Sequence, residues 1–175
     1  MINMTQMLVR AMSVVVLVLG ATQAFADPKD NPIALSLAQG KGVSGMMVAN
    51  GYKVIDLERG YGEQAETGAW VRFNFVGWFY DPAAPDGKGE QFDSSVDRGE
   101  PFVFQLGKQR VIMGWDAGIV GMRTGGKRRL VIPPSLGFGD KGSGEKGSAK
   151  AIPPNATLVF EIEMIDFLPA IPPKS

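Results

Sequence analysis

Neither cysteine nor histidine occurs in the 175-residue chain. Their absence removes disulfides, thiol nucleophiles, histidine general bases and the commonest zinc ligands together, and with them most familiar hydrolase chemistry. No metal and no cofactor is expected. Net charge is missing too: lysine plus arginine and aspartate plus glutamate number 18 each, so no global field draws the chain to nucleic acid or anionic lipid. The short basic run Lys127-Arg128-Arg129 reads as a solvated strand edge rather than a nucleic-acid contact. Long apolar runs are also scarce. The one from Ala11 to Leu19 falls well short of the roughly 20 residues that span a bilayer, so no permanent membrane anchor is expected. Arg10 precedes that run and Ala24-Phe25-Ala26 follows it, the pattern of a secretory signal peptide cleaved after Ala26. No cysteine is present to take a lipid and no twin-arginine pair precedes the run, which predicts a soluble product exported unfolded to the periplasm.

What remains is one domain's worth of chain, divided as signal peptide 1–26, arm 27–50, domain 51–169 and tail 170–175. The arm carries scattered Pro, Gly, Lys and Ser with weak periodicity and reads as a linker. From Tyr52 onward, short apolar runs alternate with turn residues, as in an antiparallel sheet. Val71, Phe73 and Phe75 share one strand face, with Arg72 and Asn74 on the other. Leu158, Phe160, Ile162 and Met164 alternate likewise against Val159, Glu161 and Glu163. Further strands are predicted over 101–106 and 127–132, the second stopped by Pro133-Pro134. A single short helix is expected from Met113 to Val120, with Gly114 and Gly118 weakening it. Sheet plus one helix is α+β, with the helix across one sheet face. The glycine- and acid-rich loops 81–89 and 139–147 lack both the calcium-loop spacing and the phosphate-loop Gly-Lys-Ser/Thr ending. Residue by residue, the large aromatics read as core, and Asp93 as a turn residue with Ser94 and Ser95 capping the loop.

Four stretches in order, Phe92-Asp93-Ser94-Ser95, Leu106-Gly107-Lys108-Gln109, Val111-Ile112-Met113-Gly114-Trp115 and Ile152 to Phe160 (IPPNATLVF), carry a more specific signal. Together they resemble the FKBP-type, macrolide-binding prolyl isomerases, from about Tyr52 to Leu168. The resemblance implies a strongly bent antiparallel sheet wrapped around one short helix. It further implies a pocket with Trp115 as floor, Phe92, Phe102 and Phe160 as walls, and Val111 and Ile112 as one rim, the Ile112 N–H being offered to a substrate carbonyl. Asp93 would lie at the pocket edge and Ile152 on the opposite lip. Phe75 and Phe138 stand where the family usually has tyrosine. Each keeps an aromatic wall and loses a hydroxyl, one of which would reach the aspartate at Asp93 and the other the bound ligand. Proline-containing protein segments are the implied partners, with macrolide binding weakened; the lack of heptads and of a large apolar tail makes a monomer the default state.

Such a site needs no acid or base. Rotation about an X–Pro bond is resisted by roughly 18–20 kcal/mol of amide resonance, and a pocket that fits the twisted form better than the planar one lowers that barrier by differential binding. A ~10⁴-fold acceleration takes only about 5.5 kcal/mol, within reach of apolar complementarity and one fixed dipole. The same residues admit a second reading, a module or chaperone that holds proline segments with little turnover.

Overall fold

A computed structural model describes residues 47–48, 51–144 and 151–169. The expected signal peptide, the rest of the arm, part of the second glycine-rich loop and the tail lie outside the described residues. Among the described residues nine strands form in chain order: β1 Met47–Val48, β2 Tyr52–Glu58, β3 Tyr61–Gln64, β4 Trp70–Tyr80, β5 Lys88–Ser94, β6 Phe102–Gln105, β7 Arg123–Thr124, β8 Lys127–Ile132 and β9 Leu158–Leu168. Two helices interrupt them, α1 Ser95–Arg98 and α2 Met113–Ile119. Seven strands make the main sheet in the order β1-β2-β8-β9-β4-β5, with β6 also on β4, while β3 and β7 pair separately. Every pairing is antiparallel.

Strand β4 shows why the sheet bends. Its first half, Trp70–Phe73, pairs β6, and from Val76 onward its free edge passes to β5. Register shifts fall between Arg72 and Phe73 on the β9 side and around Trp78 on the β5 side. Bulges of this kind raise the local twist and turn the edge of a sheet over its own face. The face so enclosed carries Val71, Phe73 and Phe75 from β4 and Leu158, Phe160, Ile162 and Met164 from β9, all buried as their alternation predicts. Each contributes about 1.5–3 kcal/mol by leaving water.

Helix α2 lies against this face with Gly114 to Ile119 all buried. Its glycines, unfavourable for helix formation, allow the close approach. A Cβ on Gly114 would sit 2.7 Å from the Ile132 side chain, and one on Gly118 would sit 2.6 Å from Leu130. The Tyr52 hydroxyl donates to the Gly114 carbonyl at 2.7 Å, tying β2 to the first turn of the helix. At the other end Arg128 donates to the Gly118 and Val120 carbonyls at 2.6 and 3.1 Å and to Asp56 at 2.6 Å. A cation at a helix C-terminus satisfies orphaned carbonyls and opposes the helix dipole.

Arg128 thereby corrects the reading of Lys127-Arg128-Arg129 as a solvated edge. β8 is a central strand between β2 and β9, and Arg128 is only 3% exposed. Arg129 is engaged with Glu161 and Asp86 on the opposite face. A second correction concerns Val159, expected outward and in fact fully buried between its register partners Val131 and Trp78. The third is α1, absent from the predicted elements. Ser94 caps it by accepting from the Asp97 N–H at 3.1 Å, and Gly99 closes it at φ +68°, a left-handed conformation that glycine adopts without strain. The loop expected over 81–89 is shorter than predicted, because a 3₁₀ turn at Pro85–Gly87 leads straight into β5 at Lys88.

Candidate active site

Between the N-terminal end of α2 and the bent part of the sheet lies a hollow of about 1000 Å³. All ten residues singled out in the sequence line it: Phe75, Phe92, Asp93, Phe102, Val111, Ile112, Trp115, Phe138, Ile152 and Phe160. They come from β4, β5, β6, α2, β9 and two connecting segments.

Trp115 is the base of the hollow and is 6% exposed. Four rings surround it at centroid distances of 4.9 Å (Phe75), 5.0 Å (Phe160), 5.4 Å (Phe73) and 5.6 Å (Phe102), all crossed edge-to-face. Crossed rings direct a positive edge at a negative face, so this collar fixes the indole plane. The indole N–H is buried without a hydrogen-bond acceptor among the described residues, which leaves ring faces as its available partners. Phe92 and Phe160 meet at 5.6 Å and 86° over Gly77. A Cβ at Gly77 would lie 2.8 Å from atoms of both rings, so the bare backbone there makes room for them. Phe102, on the open side, is 36% exposed.

The rim is built from the segment before α2. Ile112 takes the N-cap position at φ −58° and ψ 144°, and its carbonyl accepts from the Trp115 and Asp116 N–H groups at 3.0 and 3.3 Å. The Ile112 N–H itself donates to nothing among the described residues. Asp116, which the sequence reading passed over, holds this segment in place. Its two carboxylate oxygens accept from the Gly107 and Gln109 N–H groups at 2.9 and 3.0 Å, and the residue is 2% exposed. Burial pushes its carboxyl above the usual range, and the two amides only partly oppose that. The one signal in the sequence was an acid inside the otherwise apolar Val111 to Val120 run.

Asp93 sits at the edge, accepting from the Ser94 N–H at 2.9 Å and paired with the Arg98 guanidinium. Arg98, also unremarked in the sequence, lies 5.5 Å from the Phe75 ring centroid. A cation over an aromatic face is attracted by the ring quadrupole, so Phe75 is linked to Asp93 through Arg98 although it has no hydroxyl. On the far lip, Phe138 follows the Pro134–Leu136 turn, and Ile152 is held by reciprocal backbone hydrogen bonds with Ser143 at 2.8 and 3.0 Å.

A bent antiparallel sheet closed over a short helix, with an aromatic hollow at the helix N-terminus, defines the class. The family described as FKBP-type peptidyl-prolyl cis-trans isomerase matches residues 61–165, and the chain belongs to it. Over 110 residues it is 42% identical to the FK506-binding protein of Neisseria meningitidis serogroup A, covering 63% of this chain and 90% of that protein. Over 106 residues it is 47% identical to FK506-binding protein 2B of Rhizopus delemar, covering 61% of this chain and 46% of that protein, less than half of the relative's length. Among solved structures, AtFKBP13 is similar with TM-score 0.57 and 41% identity, covering 69% of this chain and 95% of that one. FkpA from Escherichia coli is similar with TM-score 0.58 and 38% identity, covering 78% and 56%.

Proposed function

We propose that the chain accelerates cis/trans rotation of X–Pro bonds in exported proteins, and that the hollow over Trp115 is where it does so. One observation carries this reading: an enclosure lined by Trp115, Phe75, Phe92, Phe102 and Phe160 has, at its rim, the N–H of Ile112, unengaged among the described residues. A prolyl ring inserted there leaves water, and the Ile112 N–H holds the neighbouring carbonyl while the amide turns. The planar amide is the form that water solvates best, so moving it into an apolar enclosure disfavours it relative to the twisted form. The larger share comes from shape, because walls that fit the twisted amide better than the planar one act only on the barrier. Asp93, Trp115, Phe102, Phe160 and Ile112 are assigned to the reacting amide. Phe75, Phe92, Val111, Phe138 and Ile152 are assigned to holding the chain on either side. Export to the periplasm with cleavage after Ala26, a monomeric state and the division at residues 27, 51 and 170 belong to the same proposal.

The missing hydroxyls at Phe75 and Phe138 favour a second reading, a holding module that also acts as a chaperone with low turnover. They equally predict weakened binding of the macrolide named in its relatives. The isomerase reading is tested by the exchange rate of an acetylated Leu-Pro peptide with the mature chain and its Trp115→Ala variant. Acceleration by the first and its loss in the second are expected, whereas no acceleration at micromolar protein rejects the enzyme. Phe138→Tyr is expected to raise the rate about two- to tenfold, the worth of one added hydrogen bond. Suppression of client aggregation that survives Trp115→Ala would place holding at a different surface.

A further inference from the structure

Among the described residues four ionisable side chains line the hollow: Asp93, Arg98, Arg110 and Asp116. Three are already engaged. Asp93 and Arg98 pair with each other, and Asp116 spends both oxygens on backbone N–H groups. Arg110 is exposed and has no hydrogen bond or ion pair among the described residues. It directly precedes the rim residues Val111 and Ile112, and Lys108 on the same segment is exposed as well. Among the described residues formal charges on the lining cancel, yet the one side chain with no hydrogen-bond or ion-pair partner is cationic.

We infer that Arg110 is a specificity-determining residue that selects proline segments bearing a carboxylate next to the proline. The inference rests on reading the hollow as a prolyl site, since only a proline seated over Trp115 brings its neighbours to Arg110. A flanking aspartate or glutamate would meet the guanidinium, for which planar bidentate pairing with a carboxylate is the favoured geometry. A flanking lysine would meet a like charge. Because the pair would be solvent-exposed, the preference is modest, about two- to fivefold, and is screened as the Debye length shrinks from about 8 Å at physiological salt to about 3 Å at 1 M.

The test uses acetylated peptides with Glu, Leu or Lys either before or after the proline. Affinity is read by chemical-shift titration and turnover by exchange, on the mature chain and on Arg110→Ala, Arg110→Lys and Arg110→Glu. Expected is a Glu-over-Leu preference in at least one series that survives Arg110→Lys, disappears in Arg110→Ala or 1 M salt, and inverts to Lys in Arg110→Glu. Equal affinities for Glu, Leu and Lys in both series, or a preference unchanged in Arg110→Ala, overturns it. If peptides bind with this charge preference but none is accelerated, the isomerase reading fails while the selectivity stands. Acceleration of Leu-Pro without charge preference gives the reverse result.

Discussion

Phe102 and Phe104 lie two residues apart on one strand face, and replacing each by alanine should separate pocket from core. Phe104 is 4% exposed, packs at 5.8 Å against Phe73 and does not line the hollow. Its truncation should therefore cost the full amount for a buried aromatic, ~3–5 kcal/mol. Phe102 is 36% exposed and lines the hollow, so about two thirds of that, ~2–3 kcal/mol, is expected from its loss. Activity should rank the other way. Removing a wall withdraws contact from the prolyl ring worth about 1–2 kcal/mol, a five- to thirtyfold fall in kcat/KM for Phe102→Ala. Phe104→Ala should leave kcat/KM within about twofold of the parent where it remains folded, because a residue off the lining touches neither the bound substrate nor the transition state. Denaturant titration with a shared m-value gives the stabilities, and peptide exchange at low temperature gives the rates. Equal stability losses, or a kcat/KM loss as large for Phe104→Ala as for Phe102→Ala, would refute the division of this face into wall and core.

Gly77→Ala places a methyl 2.8 Å from both Phe160 and Phe92, so it should cost ~1–3 kcal/mol in overpacking and lower kcat/KM by displacing two walls. A variant with unchanged melting temperature and unchanged rate would mean that the rings do not need that space. Asp116 carries a pH signature. Burial raises its folded pKa above the unfolded value, so the folded state holds this proton more tightly. Its contribution to stability is present below an unfolded pKa of ~3.9 and is lost as pH climbs through the folded value. Asp116→Asn keeps one acceptor for the Gly107 and Gln109 N–H pair and should be less stable throughout. Paired denaturant titrations should show that deficit shrinking as pH rises from about 4 toward neutrality, and a widening deficit would reverse the assigned direction.

Most of the sheet was legible because period-2 alternation leaves little choice. Val71, Phe73 and Phe75 had to face one way, and β9 had to follow the same pattern. Arg128 shares that alternation with Leu130 and Ile132, so periodicity already pointed it inward, and composition prevailed wrongly over pattern. Its partners, the Gly118 and Val120 carbonyls and Asp56, exist only once α2 is docked on β8. Val159 escaped for a different reason. An outward position on a central strand is buried by whatever flanks it, and a single strand's sequence does not name its neighbours. Helix α1 is too short to show a period, and of the residues that bound it only Ser94 reads from sequence, as the cap of a loop. Arg98 was invisible in the same way and Asp116 showed only as an acid in an apolar run, since the fold alone supplies what they hold.

The aromatics bring the two sequence readings together. Trp115, Phe75, Phe92 and Phe160 belong to the buried cluster and also line the hollow. Core and site are therefore one set of rings seen from two sides. Phe73, fully buried, braces Trp115 at 5.4 Å from beneath, and Phe102 leans on both from the open side. A pocket of this kind is an extension of the core that the chain's own side chains leave unfilled, with Gly77 keeping a Cβ out of its wall. Its rigidity comes from the packing that stabilises the fold, which is the condition for a wall to discriminate a twisted amide from a planar one rather than yield to both. The polar work is confined to the rim, where Asp116 fixes the segment that carries the Ile112 N–H. On the proposed reading the chemistry needs no proton transfer, and shape in the core with one backbone dipole at its edge is what a chain without histidine or cysteine would bring to it.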